Sequence, residues 1–431
     1  MRFLGAEDRS FFVFPFCGKV KRKGREPSVF LASLAFPCYN EHMYRVYLKK
    51  GEEKRIVAGH SWVYANEVAR TEKDDADKNG SLAAVYAANG KYIGKGYINH
   101  ASKILVRIFI RDGEEDGKEL YRKRLRRADE YRRAMGYRSC YRMVFAEADD
   151  LPALIVDKYA DILVVQCLSL GIERQKELIT ECLAELFAPK GIYERSDVAV
   201  RAKEGLPESV GVLYGEVPDE VIVEENGLKM AIDVRHGQKT GYFLDQEENR
   251  YALRRYAAGR DVLDCFCNSG GFSLNAALTA KSVTAVDISE LALADVRKNA
   301  ALNGLGNIET LCGDVFEVLR EYRREGRKFG VVVLDPPAFC KSAAEVKDAY
   351  RGYKDINLLG MKLVEEGGFL VTCSCSHYMA MPLFEKMLIE AARESGRTVR
   401  SVEVKTQAPD HPSLLCAEET SYLKCFVLHI I

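Results

Sequence analysis

At 431 residues the chain is long enough for about three domains, and 47% hydrophobic residues supply real cores, which excludes a disordered or collagen-like protein. Sixty-three Lys plus Arg balance 63 Asp plus Glu, so a polyanionic partner must be met by a local basic surface rather than by net charge. Thirteen cysteines, an odd number lying mostly in apolar runs (Cys167, Cys182, Cys312, Cys425), predict a reducing, cytoplasmic compartment and no disulfide framework.

Residues 1–42 hold 7 of the 19 Phe and 3 of the 12 Pro without a sustained period, and no domain is expected there. Lys21–Arg25 followed by Val29–Phe36 mimics a signal peptide, but the more economical reading is a non-native extension ahead of Met43. Residues 43–115 carry short strands at Arg45–Leu48, Leu82–Tyr86, Tyr92–Ile98 and Ile104–Ile110, a pattern that predicts a small β-barrel or sandwich of about 70 residues. After the linker Glu114–Gly117, residues 118–142 carry ten Lys or Arg against three acids. That run is either a solvated helix face or a phosphate-contacting one, with Lys123, Arg126, Arg127 and Arg132 as RNA contacts in the second reading. The rest of a central α+β domain, 116–224, reads as strands at Ala153–Asp157 and Ile162–Leu168, a helix at Gln175–Phe187 and a strand at Gly191–Arg195. From 225 to 431, apolar strands alternate with helical patterns, which predicts an α/β domain with a mostly parallel, doubly wound sheet. No run of about 18 apolar residues suggests a membrane span.

The chemistry concentrates at the ends of those strands. Val262-Leu263-Asp264 breaks into Cys265-Phe266-Cys267-Asn268-Ser269-Gly270-Gly271, a glycine turn opening a helix but not the G-x-G-x-x-G pyrophosphate fingerprint. The next strand ends at Asp287, 23 residues beyond Asp264, where an acid can accept both ribose hydroxyls, with Ser289 just past it. A third ends at Gly313-Asp314, where a carboxylate can accept from an adenine amino group. Acids at three strand ends without a pyrophosphate site favour a nucleoside cofactor such as S-adenosylmethionine. The fourth strand delivers Asp335-Pro336-Pro337, whose prolines stiffen the turn that holds Asp335 over the cofactor edge. The fifth delivers Cys373-Ser374-Cys375-Ser376-His377 to the same carboxyl edge. A thiol there has a specific use: C5 of cytosine is a poor nucleophile until a group adds to C6. Spacing alone does not choose between Cys373 and Cys375; Cys375 lies nearer the edge, and Cys373 reads as a packed core residue. The C-x-C pairs 265/267 and 373/375 lack a second half that would complete a zinc site, so no metal is expected.

Taken together, Gly237-Gln238-Lys239-Thr240-Gly241-Tyr242-Phe243-Leu244-Asp245-Gln246, the Asn268-Ser269-Gly270-Gly271-Phe272 loop, Asp335-Pro336-Pro337, Arg351-Gly352-Tyr353-Lys354-Asp355-Ile356-Asn357, Ser374-Cys375-Ser376 and Asp410-His411-Pro412 resemble the RlmI type of class I methyltransferase over residues 43–431. The resemblance implies an N-terminal PUA domain, a small central domain and a C-terminal methyltransferase domain that makes 5-methylcytosine in 23S ribosomal RNA or its large-subunit precursor. It places the nucleophile on Cys375 and folds the segment with Phe243 and Gln246 over the methionine end of the cofactor. Lys354 joins the expected RNA contacts, and family habit implies a monomer or a homodimer. Many RNA cytosine-C5 methyltransferases carry a second cysteine directly after Pro-Pro; Ala338 stands there in this chain, and Cys340 follows two residues later. Two other readings stay open from the residues: a guanine or adenine nitrogen methyltransferase without a cysteine nucleophile, and a non-catalytic RNA-binding assembly factor.

Overall fold

The structure is a computed structural model describing residues 43–72, 79–111, 113–340 and 342–431; the expectations for residues 1–42 lie outside the described residues. The first sheet contains β1 (Tyr44–Leu48), β2 (Trp62–Tyr64), β3 (Val68–Glu72), β4 (Leu82–Tyr86), β5 (Tyr92–Ile98) and β6 (Ile104–Ile110), in the order β2-β6-β5-β4-β1-β3, with helix α1 (Glu53–Val57) between β1 and β2. Alternation along β1 turns Tyr44, Val46 and Leu48 inward, onto a core with Val63, Val85, Ile98, Val106 and Ile108.

Next come α2 (Lys118–Ala134), β7 (Cys140–Phe145), β8 (Leu154–Tyr159), β9 (Ile162–Cys167), α3 (Leu170–Arg174), α4 (Lys176–Phe187), β10 (Gly191–Ser196) and β11 (Ser209–Gly215), whose strands pair in the order β11-β10-β9-β8-β7. Leu120, Tyr121 and Leu125 of α2 and Ile179, Cys182 and Leu183 of α4 share one core over this sheet. β7 is absent from the sequence reading because its first residues are hidden in the tail of the charge run. β12 (Glu220–Glu225) and β13 (Leu228–Asp233) form a hairpin closed by Asn226 (φ 54°) and Gly227 (φ 78°), the left-handed pair that a two-residue hairpin turn requires. The expected division at 224/225 therefore falls inside a hairpin.

The largest sheet contains β14 (Asp261–Cys265), β15 (Ser282–Asp287), β16 (Ile308–Cys312), β17 (Phe329–Leu334), β18 (Val364–Ser374), β19 (Val399–Lys405) and β20 (Lys424–Ile430). Helices α5 (Glu247–Ala257), α6 (Gly271–Ala277), α7 (Glu290–Leu302), α8 (Val315–Glu325), α9 (Val346–Leu363) and α10 (Met381–Ser395) accompany it. Strand order is β16-β15-β14-β17-β18-β20-β19, parallel from β16 to β18 and antiparallel at β20. β17 is buried throughout, as its unbroken run Phe329-Gly330-Val331-Val332-Val333-Leu334 requires. The order reverses between β14 and β17, so their carboxyl ends open a crevice at the topological switch point. Among the described residues, no helix is long and apolar enough to cross a membrane.

The basic run folds as α2 and β7, and most of its charge is already neutralised. Lys118 and Arg122 pair with Glu185, Arg124 with Glu114, Arg127 with Asp150, Arg133 with Asp129 and Arg142 with Asp157. Arg132 corrects the sequence reading outright: its side chain is 0% exposed, it grips both Asp149 oxygens (2.5 and 2.8 Å), and it donates to the Asp410 carbonyl (2.8 Å). The position that looked like an RNA contact is a buried clamp between α2 and the segment after β19. Breaking such a pair leaves an uncompensated carboxylate, so Arg132→Met is expected to lose about 3–5 kcal/mol of stability in urea unfolding, with no change in the salt slope of RNA binding. Lys123 and Arg126 are exposed and have no ion-pair partner among the described residues.

Candidate active site

The loop after β14 is built on unusual backbone. Phe266 (φ 62°) and Asn268 (φ 48°) take the left-handed region, and Gly270 (φ 87°) leads into α6. Each such non-glycine residue costs about 1–3 kcal/mol and persists only where its surroundings fix it. Here the Cys267 amide donates to the Val286 carbonyl (3.1 Å), the Asn268 amide to Asp287 Oδ2 (3.0 Å), and the Asn299 side chain to the Ser269 carbonyl (3.2 Å). A Cβ on Gly271 would stand 2.7 Å from Tyr242 Oη and from Arg250 Cδ, so this glycine lets the segment of residues 237–246 pack directly on the loop. Arg250 holds that segment by donating to the Phe243 carbonyl (2.8 Å) while pairing with buried Glu225 of β12. The hairpin is thus part of the scaffold of the crevice.

The strand-end acids divide by role. Asp264 is buried; it accepts from Ser273 Oγ (2.5 Å) through one oxygen, and Oδ1 has no side-chain or backbone partner among the described residues. Burial, with Asp335 and Asp287 nearby, pushes its pKa up to about 7. Asp287 accepts one backbone amide on each oxygen, from Ser289 (2.9 Å) and Asn268 (3.0 Å), which aims the carboxylate without exhausting its lone pairs. Ser289 and Asp314 are helix caps: Ser289 Oγ accepts from the Ala292 amide (3.3 Å), and Asp314 Oδ1 accepts from the Phe316 and Glu317 amides (2.8 and 3.4 Å).

Asp335 follows β17 directly and stands half-buried, with Pro336 buried behind it. Gln246 Nε2 donates to Asp335 Oδ1 (2.9 Å), and Asn249 in turn donates to Gln246 Oε1 (2.6 Å). Gln246, expected at the cofactor, is therefore the support of Asp335. Oδ2 of Asp335 has no partner among the described residues, and burial together with the Asp245 charge pushes the carboxyl up to about 7. Cys375 stands one residue past β18 and is partly exposed, whereas Cys373 is fully buried opposite Cys425. The structure thus separates the two cysteines that spacing could not. Burial and Asp335 push the Cys375 thiol up to about 11, opposed by Lys239 and Lys424. The turn that carries it is tied down by Ser376, whose Oγ meets Tyr353 Oη (2.9 Å) and accepts from the Cys340 amide (3.2 Å). Cys340 therefore returns to the turn that carries Cys375, with its thiol directed at the Ser342 carbonyl (3.1 Å).

Asp245, Lys239, Tyr422 and Lys424 were missed by the sequence reading as site residues. Asp245 Oδ2 accepts from Lys239 (2.9 Å) and Tyr422 (2.6 Å), and buried Oδ1 is without a partner among the described residues. Burial raises this carboxyl, but Lys239 and His411 with the Tyr422 hydroxyl more than reverse it and hold it well below the usual range. A signal existed for Lys424, a lysine inside the apolar run Leu423–Ile431. Of the other expected residues, His377 is exposed, Lys354 pairs with Glu394 of α10 (3.0 Å), and Asp410 with His411 bridges to β7 through the Arg142 amide (2.8 Å). Lys354, expected as an RNA contact, ties α9 to α10 through this exposed pair.

A family model described as S-adenosylmethionine-dependent methyltransferase matches residues 170–427, and one described as PUA-like domain matches residues 46–111. The ribosomal RNA large subunit methyltransferase I of Aeromonas salmonicida is 44% identical over 391 residues, 89% of this chain and 98% of that protein. The chain belongs to the ribosomal RNA large subunit methyltransferase I family. The relative of the same name from Vibrio cholerae is 42% identical over 395 residues, covering 90% of this chain and 99% of its own. A solved structure from Streptococcus mutans, described as a candidate S-adenosylmethionine-dependent methyltransferase, matches the fold with a TM-score of 0.77 at 20% identity, over 90% of this chain and all of that one (100%). A second with the same TM-score of 0.77 is a complex with S-adenosylhomocysteine. As a member of the methyltransferase I family this chain is an S-adenosylmethionine-dependent enzyme, and its PUA-like domain is the first sheet described above.

Proposed function

We propose that this chain transfers a methyl group from S-adenosylmethionine to C5 of a cytosine in large-subunit (23S) ribosomal RNA, through a covalent bond between Cys375 and C6. The observation that carries this reading is the placement of a partly exposed thiol beside a carboxyl poised near neutrality, Cys375 and Asp335, on one carboxyl edge of the sheet. The crevice suits the cofactor. Asp264 Oδ1, Asp245 Oδ1 and Asn249 Oδ1 are buried acceptors without partners, which fits a ligand bearing an ammonium and a sulfonium, and Asp287 keeps lone pairs for two ribose hydroxyls. In this reading Phe266, Asn268, Ser269, Gly270 and Pro336 are the cofactor's neighbours along the loop after β14 and the turn after β17, and Asp314 is its partner at the adenine end. When bound, the cofactor supplies an electrophilic methyl group.

The chain's own residues do the rest. The target base leaves its stack at a cost of a few kcal/mol, met by contacts to unpaired RNA. Gln246 fixes Asp335 so that Oδ2, in its protonated form, donates to N3 and makes C6 electrophilic. The Cys375 thiolate adds to C6, C5 becomes an enamine carbon and takes the methyl group. Loss of the C5 proton to water re-forms the double bond and expels the thiolate, and the N3 proton returns to Asp335. Holding C5 in line with the methyl group contributes by proximity, which can be worth about 7–11 kcal/mol.

Incubation with ribosomal RNA and methyl-labelled cofactor, followed by nucleoside analysis, tests the reading: 5-methylcytidine is expected, and labelled guanosine or adenosine would replace it with a base-nitrogen methyltransferase. For RNA capture the free charges are Lys123 and Arg126. Reversing both to glutamate is expected to weaken binding and to lower the log-log salt slope by about 0.7 for each lost phosphate contact. An unchanged slope would return α2 to a purely structural role.

A further inference from the structure

Lys424 is a buried cation that the reaction above leaves unused. It opens β20 directly opposite Ser374, the last residue of β18, and is 4% exposed. Its ammonium donates to the carbonyls of Ser376 and Tyr422, both at 2.7 Å, and among the described residues it has no carboxylate partner. A buried, unpaired charge is costly, and two carbonyls use only two of its three donors. Carbonyl bridging alone explains neither the charge nor its position, because the residue between Ser374 and Ser376 is Cys375.

We propose that Lys424 is a positioning residue for the Cys375 nucleophile: it fixes the turn through the Ser376 carbonyl and provides the positive charge that stabilises the thiolate, both before addition to C6 and on its expulsion. The proposal rests on the reading of Cys375 as nucleophile. Its electrostatic side is reciprocal. Burial lowers the Lys424 pKa to about 8, against an opposing contribution from the thiol, and Lys424 in turn lowers the thiol. The other groups facing Cys375 are Asp335 after β17, Asp245 and Lys239 before α5, and the Tyr353 phenol of α9; the two carboxylates raise the thiol and Lys239 lowers it. Removing the Lys424 charge therefore raises the thiol pKa further and reduces thiolate below about pH 8, where the lysine is protonated.

The test is the pH dependence of Cys375 alkylation by iodoacetamide in the full chain without RNA, read by peptide mass spectrometry, with exposed Cys312 as internal reference. In Lys424→Met, Cys375 alkylation below about pH 8, where the wild-type lysine carries its charge, is expected to be about tenfold slower than in wild type, while Cys312 alkylation is unchanged. Lys424→Arg is expected to keep the wild-type alkylation rate below about pH 8, and the difference between the methionine variant and wild type is expected to narrow above it, where the wild-type lysine is itself neutral. Should the methionine variant not fold, Lys424→Gln carries the same expectation. A Cys375 profile that superimposes on wild type in the neutral variants, or one that moves as far in the arginine variant, would overturn the proposal and leave a structural brace. Failure of the nucleophile reading is separately visible: Cys375→Ala would then retain methyl transfer whatever the alkylation profiles show.

Discussion

Cys375→Ala is expected to lose methyl transfer by roughly 10⁴-fold or more, about 5.5 kcal/mol of transition-state stabilisation, while cofactor affinity stays within about twofold. The size follows from the chemistry: without a bond at C6 the pyrimidine C5 has no enamine character, and among the described residues neither neighbouring thiol can replace the missing one. Cys373 is sealed in the sheet against Cys425, and the Cys340 thiol is turned toward the Ser342 carbonyl. Cys373→Ala is accordingly expected to alter stability and leave turnover close to wild type, and single-turnover assays on both variants check the pair.

Asp335→Asn is expected to reduce kcat/KM by about 10²–10⁴-fold, the usual worth of a positioned general acid. The pH profile gives the sharper reading. In the proposed mechanism the productive form pairs a Cys375 thiolate with a protonated Asp335; burial pushes that carboxyl up to about 7 and the thiol up to about 11. Below about pH 7 each unit of pH adds thiolate tenfold while Asp335 stays protonated, so kcat/KM rises. Between about 7 and 11 the gain in thiolate is cancelled by the loss of the acid, and the profile is flat. The asparagine variant has no acid to lose, so its lower rate is expected to climb through the same interval. A wild-type profile that climbs past pH 8 would mean that Asp335 acts as a carboxylate, accepting from N4 instead of donating to N3.

Periodicity exposed the architecture where secondary structure is buried on regular faces. The run Phe329–Leu334 and the strands ending at Asp264 and Asp287 were legible because parallel central strands are apolar throughout and their acids stand out at the tips. β7 was not, since Arg142 is salt-bridged to Asp157 and a paired buried arginine reads in sequence like a surface one. The same physics misplaced Arg132: charge is visible in a sequence, but its partner, supplied from a distant element, is not. The site divides along the same line. Asp335 and Cys375 were legible from strand-end position, while the choice over Cys373 needed the register of β18 on β20. Gln246 was seen as a motif residue, yet its hold on Asp335 depends on a contact across 89 positions of chain.

The covalent bond to C6 is the central claim, and 5-fluorocytidine-substituted ribosomal RNA tests it most directly. After methyl transfer to C5 the fluorine cannot leave as a proton does, so the thiolate cannot be expelled and the enzyme should remain bonded to RNA. Nuclease digestion and peptide mass spectrometry are expected to find a methylated fluoronucleotide on Cys375, formed only with cofactor present and absent from Cys375→Ala. Turnover of normal RNA with no such adduct, or an adduct on another residue, would contradict the mechanism.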